Sequence, residues 1–241
     1  MKNTINDLLT KTASLINEDK YDDALQLLKS EINNPLFSLV EQKNIIDRIK
    51  KLENFIKQYN FKIRLNNATK NELIKMFNSD GYSIEVLGAL FDKYKNELRT
   101  NDFLKLQQVF LDDGISNEMK IVYLQLFKDY EIKHIFNFHN THINKTFKIN
   151  LAENFSIESN ELLYKVLDQV QALFFKETSK ENVAKQVIWA IYYYYFGGFE
   201  LIKYNYEELT QHVIDFIDNA FNNITPVDKK FLEWINKILS K

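Results

Sequence analysis

The stretch Met76-Phe77-Asn78-Ser79-Asp80-Gly81-Tyr82-Ser83 returns 33 positions later as Val109-Phe110-Leu111-Asp112-Asp113-Gly114-Ile115-Ser116. Phe, Asp, Gly and Ser coincide in the two copies, and each copy joins two stretches of helical periodicity. A glycine that follows a helix can take the left-handed conformation, and serine is a preferred N-cap of the next helix. A period of this length is typical of two-helix units that stack on one another. The pattern therefore predicts paired helical units at 69–98 and 101–129.

A capping box supports the start of the first unit, and a buried apolar face is expected in both units. Thr69 and Glu72 have the spacing of a capping box, in which the two side chains bond amides of the first helical turn. Stacking of the units is expected to bury one apolar face in each of them. The predicted core residues are Leu87, Leu90 and Phe91 in the first unit and Val122, Leu126 and Phe127 in the second.

Upstream, residues 4–33 predict a helical hairpin, and a third helix is predicted at about 38–59. The segment from Tyr21 to Ala24, with Leu28 behind it, resembles the second helix of a tetratricopeptide repeat, where an aromatic residue and a small alanine allow close packing. Thr12 replaces the small glycine of that repeat, and Pro35 comes one residue early. One degenerate repeat is therefore predicted here.

Between 131 and 151 the apolar period changes from helical to alternating. Ile132, His134, Phe136 and Phe138 alternate before a polar break at Asn140-Thr141, and the residues 143–149 alternate after it. Alternation on both sides of a short polar break indicates a β-hairpin. An isolated hairpin is barely stable in water, so it is expected to lie against helices.

Beyond the hairpin, helical periodicity predicts helices at about 158–176, 180–196 and 206–222, and a last helix that opens at Thr225-Pro226. Gly197-Gly198 is interpreted as a helix stop. The predicted fold class is all-α, a multihelical and tetratricopeptide-like α–α superhelix with one small β-hairpin insertion. The predicted domains are an N-terminal helical-repeat lobe (1–130), a hairpin joint (131–151) and a C-terminal helical lobe (152–241).

The order of these features resembles an uncharacterised family of mollicutes and related Gram-positive bacteria, known only as a domain of unknown function. The matching features are the Tyr-x-x-Ala start, the two Phe-x-x-Asp-Gly-x-Ser junctions, the hairpin and the aromatic C-terminal helices. The resemblance implies a multihelical fold over most of the chain. It implies no activity, substrate or catalytic residue.

Composition excludes several classes of protein. The 241 residues contain no Cys, which removes disulfides, thiolate nucleophiles and Cys-based metal sites. The 31 Lys+Arg nearly balance the 33 Asp+Glu, whereas a protein built to neutralise many phosphates is usually basic. No signal peptide or transmembrane segment is predicted, so the expected location is the cytoplasm, without membrane binding.

The histidines and acidic pairs do not favour a metal or acid–base site. His139 and His142 would face each other if the hairpin turned at Asn140-Thr141, but His134 differs from His139 by an odd number of positions and is expected on the other face. Two ligands make a poor zinc site, so solvated histidines are favoured. Adjacent acidic pairs such as Asp112-Asp113 rarely aim into one cleft. The sequence predicts no catalytic residue, cofactor or metal.

Two groups of residues are candidates for interaction. Trp189, Tyr192 and Tyr195 belong to an aromatic helix that is interpreted as central and buried, with an aromatic-lined pocket or peptide groove as the alternative. Arg48, Lys50 and Lys51 make the third helix locally basic. A solvated helix face is the default interpretation of that basic stretch, and an RNA- or ribosome-facing patch is the alternative.

The favoured hypothesis is a non-catalytic helical-repeat protein that binds a protein or peptide in a groove between stacked helices, because a solenoid offers a concave face. The second hypothesis is an RNA- or ribosome-associated factor that uses the basic third helix. A third is an enzyme whose site assembles from residues distant in the sequence. Ligand, pathway and oligomeric state do not follow from the sequence.

Overall fold

A computed structural model describes residues 5–153, 155–222 and 226–240. The fold is all-α with one small two-stranded hairpin, which confirms the predicted fold class. The elements in chain order are α1 (Ile5–Asn17), α2 (Tyr21–Glu31), α3 (Leu39–Asn67), α4 (Lys70–Ser79), α5 (Ile84–Tyr94), α6 (Thr100–Leu106), α7 (Gln108–Leu111), α8 (Asn117–Asp129), β1 (Ile135–Asn140), β2 (Lys145–Asn150), α9 (Glu161–Phe174), α10 (Thr178–Tyr195), α11 (Tyr206–Asn222) and α12 (Lys229–Leu239). Internal contacts divide the chain into unit 1 (Met1–Leu73) and unit 2 (Ile74–Lys241). The predicted division into lobes at 130 and 151 stays a prediction.

In unit 1, α1 packs against α2 and α2 packs against α3. The predicted hairpin of helices is confirmed, and Ala24 is fully buried between them. A capping box between Ser38 and Glu41 starts α3. This helix continues to Asn67, well beyond the predicted end near 59, because no Gly or Pro interrupts it.

The two repeated turns of unit 2 are alike at the serine and different at the glycine. Ser83 caps α5 by accepting a bond from Val86 N at 3.4 Å, and Ser116 caps α8 by accepting from Met119 N at 3.3 Å. Gly81 has the predicted positive φ of +71°, whereas Gly114 does not take a positive φ. The left-handed conformation that the sequence suggested for the glycine of both turns therefore occurs at Gly81 and not at Gly114. In the second turn the Asp112 side chain accepts a bond from the Gly114 amide at 2.8 Å, which closes the turn without a left-handed residue.

The repeated turns also contact each other. The Tyr82 hydroxyl donates to Asp112 Oδ2 at 2.9 Å, and the Tyr123 hydroxyl donates to the Tyr82 carbonyl. Burial raises the pKa of Tyr82 to about 12, and the bond to Asp112 adds to the effect. A single tyrosine of the first turn thus joins both junctions and α8.

The buried face of α8 differs from the predicted face. Phe127 is fully buried as expected, but Val122 is 47% exposed and Leu126 is only partly buried. The inward face also carries Asn117 and Lys120, both fully buried. An apolar pattern could not identify this face, because two of its positions hold polar residues that bond the hairpin.

The predicted hairpin is confirmed, with antiparallel pairing from Ile135↔Asn150 to Asn140↔Lys145. Phe136 and Phe138 are fully buried. The expected turn at Asn140-Thr141 is wrong: Asn140 is the last residue of β1, and residues 141–144 form the loop. Asn140 stays in the strand because its side chain bonds α8 and the residues at the end of α10.

Gly197 and Gly198 end α10 as predicted and also accommodate the hairpin. Gly197 has a φ of +81°. A Cβ on Gly198 would lie 2.6 Å from Cζ of Phe147, closer than real Cβ atoms approach other atoms. The absence of side chains at this pair therefore lets β2 pack against the end of α10.

The C-terminal helices surround α10, which contacts α8, α9, α11 and α12. The predicted start of the last helix at Thr225-Pro226 is wrong. The helix begins at Lys229, and the Asp228 side chain caps it by accepting a bond from Phe231 N at 2.9 Å. Thr225 lies outside the described residues. Aspartate is among the preferred N-cap residues, and here it satisfies the first-turn amide of Phe231.

Within the part of the chain that the structure describes, no helix has the length and apolar character needed to cross a bilayer.

The difference between the two turns predicts different costs for the same substitution. Gly81→Ala is expected to lower the free energy of unfolding by about 1 kcal/mol, because alanine is strained at positive φ. Gly114→Ala is expected to lower the free energy of unfolding by less, because the Gly114 backbone suits other residues. The added Cβ would require only a small movement of the Asp112 side chain. Urea titrations of both variants measure this. An equal loss of unfolding free energy in both variants would contradict the conclusion that Gly81, unlike Gly114, needs a positive φ.

Candidate functional site

A groove on unit 1 lies among α1, α2 and α3 and is here called the α1–α3 groove. Its volume is about 280 Å³. It is lined by Thr12, Ile16, Leu28, Arg48, Lys51, Leu52 and Phe55. The Thr12 hydroxyl donates to the Leu8 carbonyl at 2.8 Å, so this side chain is already satisfied within its own helix. Among the described residues, the lining is therefore apolar except for two cations.

The two cations of the groove are candidates from the sequence. Arg48 and Lys51 are both exposed and one turn apart on α3. Asn44 Oδ1 accepts a bond from Arg48 Nε at 3.1 Å, which restricts the guanidinium. Lys50, the third basic candidate, projects about 200° around the helix axis from Arg48. The structure thus places two of the three basic candidates in the groove and the third on another side of α3.

An aromatic cluster that the sequence analysis missed extends the groove. Phe55, which lines the groove, is 44% exposed and Tyr59 is 40% exposed. Their ring centroids are 6.1 Å apart, and Tyr21 lies 4.9 Å from Phe55 and 5.2 Å from Tyr59. The available signal was the four-residue separation of Phe55 and Tyr59, which brings two rings together on a helix surface. Exposed aromatic side chains are common anchors of protein interfaces.

The aromatic candidates of α10 have two different environments. Tyr192 is buried and its hydroxyl donates to the Phe155 carbonyl, and burial raises the pKa of Tyr192 well above its usual value. The Tyr195 hydroxyl accepts a bond from Trp234 Nε1 at 2.8 Å. Both tyrosines therefore belong to the core around α10, as the favoured interpretation of this helix expected.

Trp189 lies at a hollow of unit 2, here called the aromatic pocket. Its other lining residues are Glu118, His142, Gln186, Ala190, Tyr193, Tyr194, Ile238 and Leu239. The Trp189 and Tyr193 ring centroids are 5.6 Å apart with planes tilted by 30°. The sequence did not single out Tyr193, Tyr194 or Glu118. The helical period alone does not tell which rings of a continuous aromatic run line a pocket, and Glu118 lies far from that run in the chain.

The hairpin is held at this pocket by buried polar groups. Asn140 Nδ2 donates to the carbonyls of Tyr194 and Phe196 at 2.9 and 3.0 Å. Its Oδ1 accepts from Asn117 Nδ2 at 2.9 Å and from the amides of His142 and Ile143 at 2.9 and 3.2 Å. Lys120 Nζ donates to the His139 carbonyl at 2.8 Å, and burial lowers the pKa of Lys120. These bonds set the position of the hairpin loop beside α10.

The three hairpin histidines have separate partners. His139 Nε2 lies 3.2 Å from Asp113 Oδ1, and His139 Nδ1 lies 3.1 Å from Thr146 Oγ1. The His142 ring stacks on Tyr194 with centroids 5.1 Å apart. His134 stacks on Phe103 at 4.7 Å. Across residues 5–153, 155–222 and 226–240, no three His, Cys, Asp or Glu side chains form a group suited to a metal ion.

Comparison with protein families gives a match over the whole chain. A family model described as a protein of unknown function (DUF3196) matches residues 1–241. The chain belongs to the DUF3196 family. Membership confirms the predicted resemblance to a family of unknown function, whereas the predicted taxonomic range and tetratricopeptide likeness stay predictions. A search of curated proteins finds none that matches this DUF3196 chain.

The buried amide of Asn140 gives a stability prediction. Asn140→Ala is expected to lower the free energy of unfolding by about 3 kcal/mol or more, because it leaves buried donors and acceptors without partners. Asn137→Ala is the matched control on the same strand, where the side-chain amide makes one long contact of 3.4 Å with Gln107. Urea titration compares the two. Similar losses for both variants would contradict the special role of Asn140.

His134 gives a prediction for the pH dependence of stability. Burial lowers the pKa of His134 below its ordinary value of 6.5. The unfolded chain then takes up the proton more readily, so this contribution to stability is present above pH 6.5 and is lost as the pH falls through and below that value. Unfolding free energies between roughly pH 7 and pH 5.5 should fall less steeply in His134→Phe than in the unsubstituted protein. An NMR titration in which the His134 ring signal has an unshifted midpoint would contradict this.

Proposed function

We propose that the protein is a non-catalytic helical-repeat protein that binds a protein or peptide partner in the α1–α3 groove. The observation that supports this most directly is the combination of an apolar groove lining with two exposed cations, Arg48 and Lys51. Chemistry would require convergent catalytic groups, and the described residues that line this groove include none of the acid–base pairs that hydrolysis or proton transfer uses. Its composition suits recognition.

The proposed occupant is a peptide segment that carries a large apolar side chain next to carboxylates. The volume of about 280 Å³ suits one or two apolar side chains. Arginine and lysine at the edge favour carboxylates through charge-assisted hydrogen bonds, which also fix the orientation of the segment. The cluster of Tyr21, Phe55 and Tyr59 would add apolar contact beside the groove.

The helix arrangement of unit 1 supports a tetratricopeptide-like interpretation. Consecutive helices α1, α2 and α3 pack in sequence order, and the small residues Thr12 and Ala24 are buried where the helices approach. The first and third helices both line the groove, with Leu28 of α2 behind them. In helical repeats the concave face between equivalent helices is the usual binding surface. We place this function in the cytoplasm, where a chain without cysteine needs no disulfides.

RNA or ribosome binding is the second candidate, and a specific feature of α3 favours it. Lys43, Lys50, Lys57 and Arg64 recur every seven residues and are all exposed. This spacing keeps them on one side of the helix, here called the basic stripe, away from Arg48. Phe61 lies with Lys57 and Arg64 at a surface hollow of α3. A line of cations with a ring beside it suits a phosphate backbone and a stacked base.

Two matched charge reversals separate these candidates. Arg48→Glu/Lys51→Glu changes the groove, and Lys50→Glu/Lys57→Glu makes the same change of charge on the basic stripe. A displayed random-peptide library should yield sequences with Asp or Glu beside Leu, Ile or Phe. The groove variant should bind a selected peptide about tenfold or more weakly, whereas the stripe variant should bind it normally. Fluorescence anisotropy measures both affinities.

The same variants test the alternative with a single-stranded RNA probe. An RNA interface would lose affinity in the stripe variant and would weaken steeply as salt increases, because bound phosphates release counterions. Peptide binding in an apolar groove should change only modestly over the same salt range. The groove proposal fails if selected peptides show no acidic preference, or if both variants weaken peptide binding equally.

A further inference from the structure

The aromatic pocket of unit 2 brings together residues from four parts of the fold. Glu118 comes from α8, His142 from the hairpin loop, Trp189 and Tyr193 from α10, and Ile238 from α12. The cavity has a volume of about 310 Å³. The Trp189 and Tyr193 rings are partly exposed, in contrast to the core residues of the same helix. The pocket therefore presents aromatic surface that the core does not use.

With His142 neutral, the charge of the pocket is negative. Among the described residues that line it, Glu118 is the one carboxylate and none is Lys or Arg. Burial and the charge of Glu118 both raise the pKa of Tyr193, which places that ring within the field of the carboxylate. His142 Nε2 lies 3.9 Å from Glu118 Oε1, too far for a hydrogen bond. The carboxylate therefore keeps acceptor capacity for a ligand.

We propose that the aromatic pocket binds an organic cation with an alkylated ammonium group. The electron-rich faces of Trp and Tyr attract cations, and a nearby carboxylate strengthens that attraction. Ala190, Ile238 and Leu239 offer apolar contact to alkyl groups on the nitrogen. A guanidinium presents five N–H donors that each need an acceptor, whereas alkyl groups on a nitrogen need only the apolar and aromatic contact that this lining offers. An ammonium whose hydrogens are replaced by methyl groups suits this lining.

The first experiment tests the charge requirement. Choline and its neutral carbon isostere 3,3-dimethylbutan-1-ol have nearly the same shape and differ in charge. Isothermal titration or ligand-observed NMR should show saturable choline binding at millimolar concentrations or below. The neutral isostere should bind about tenfold or more weakly, because it lacks the cation–π and carboxylate attraction. The proposal is wrong if neither choline nor a peptide with Nε-trimethyllysine binds saturably. Equal binding of choline and its isostere also overturns it.

The ammonium group can belong to a free small molecule or to a methylated lysine of a polypeptide. A short peptide with Nε-trimethyllysine, compared with the same peptide bearing unmodified lysine, distinguishes these sources from free choline. Preferential binding of choline assigns the pocket to a small molecule. Preferential binding of the methylated peptide assigns it to a modified side chain. Equal binding of the modified and unmodified peptides, with no choline binding, contradicts the alkylammonium chemistry.

Variants locate the binding in this pocket. Glu118→Gln should weaken choline binding about tenfold, and Trp189→Leu should weaken it more than Trp189→Phe, which keeps an aromatic face. The control is Glu85→Gln. Glu85 also stands two residues after a serine N-cap, in the first turn of α5, and so has the same helix-end charge effect without lining the pocket. Circular dichroism and urea titration check that all variants fold.

A loss of choline affinity in Glu85→Gln as large as in Glu118→Gln would contradict the pocket assignment. The groove variant Arg48→Glu/Lys51→Glu should leave choline binding unchanged, and Glu118→Gln should leave the selected peptide bound. Failure of this proposal is therefore distinguishable from failure of the groove proposal.

Discussion

The side-chain amide of Asn140 is buried where three parts of unit 2 meet, and it uses both ends of the amide there. The last carbonyls of a helix have no partner within the helix, and here Asn140 Nδ2 bonds the carbonyls of Tyr194 and Phe196 at the end of α10. Its oxygen accepts from the Asn117 side chain of α8 and from two amides of the hairpin loop. A two-stranded hairpin has little stability of its own, so these bonds and the buried phenylalanines of β1 decide where it lies.

The arrangement of the aromatic pocket depends on the same contacts. His142 belongs to the loop that Asn140 organises, and Glu118 follows directly after Asn117 at the start of α8. Tyr193 and Tyr194 lie at the end of α10. The Asn117 side chain donates to the Tyr193 carbonyl, and the Asn140 side chain donates to the Tyr194 carbonyl. Gly197 and Gly198 complete the arrangement, because their lack of side chains admits Phe147 of β2. The position of the one carboxylate relative to the rings is thus a consequence of how the hairpin docks on unit 2.

The two candidate sites differ in their chemistry, which is why they imply different ligands. The α1–α3 groove combines apolar side chains with Arg48 and Lys51 and therefore favours an anionic, apolar segment. The aromatic pocket combines rings with Glu118 and therefore favours a cation. A nearly neutral net charge of -2 conceals this difference, because the balance of 31 basic and 33 acidic residues averages over surfaces with opposite local character. Membership of the DUF3196 family is compatible with either site, since the family description assigns no function.

Sequence alone determined the all-α class, the hairpin, the serine N-caps at Ser83 and Ser116, and the stop at Gly197-Gly198, because these depend on local periodicity and backbone preferences. It also singled out Arg48, Lys50, Lys51, Trp189, Tyr192 and Tyr195 as interaction candidates, and their roles stay predictions. Only the tertiary structure decided that Gly114 needs no positive φ and that Val122 faces solvent. The inward face of α8 carries Asn117 and Lys120, whose burial is tolerable only because partners distant in the sequence satisfy their bonds. Hydrogen bonds between residues far apart in the chain have no local signature, so the pocket beside Glu118 could not be predicted from the sequence.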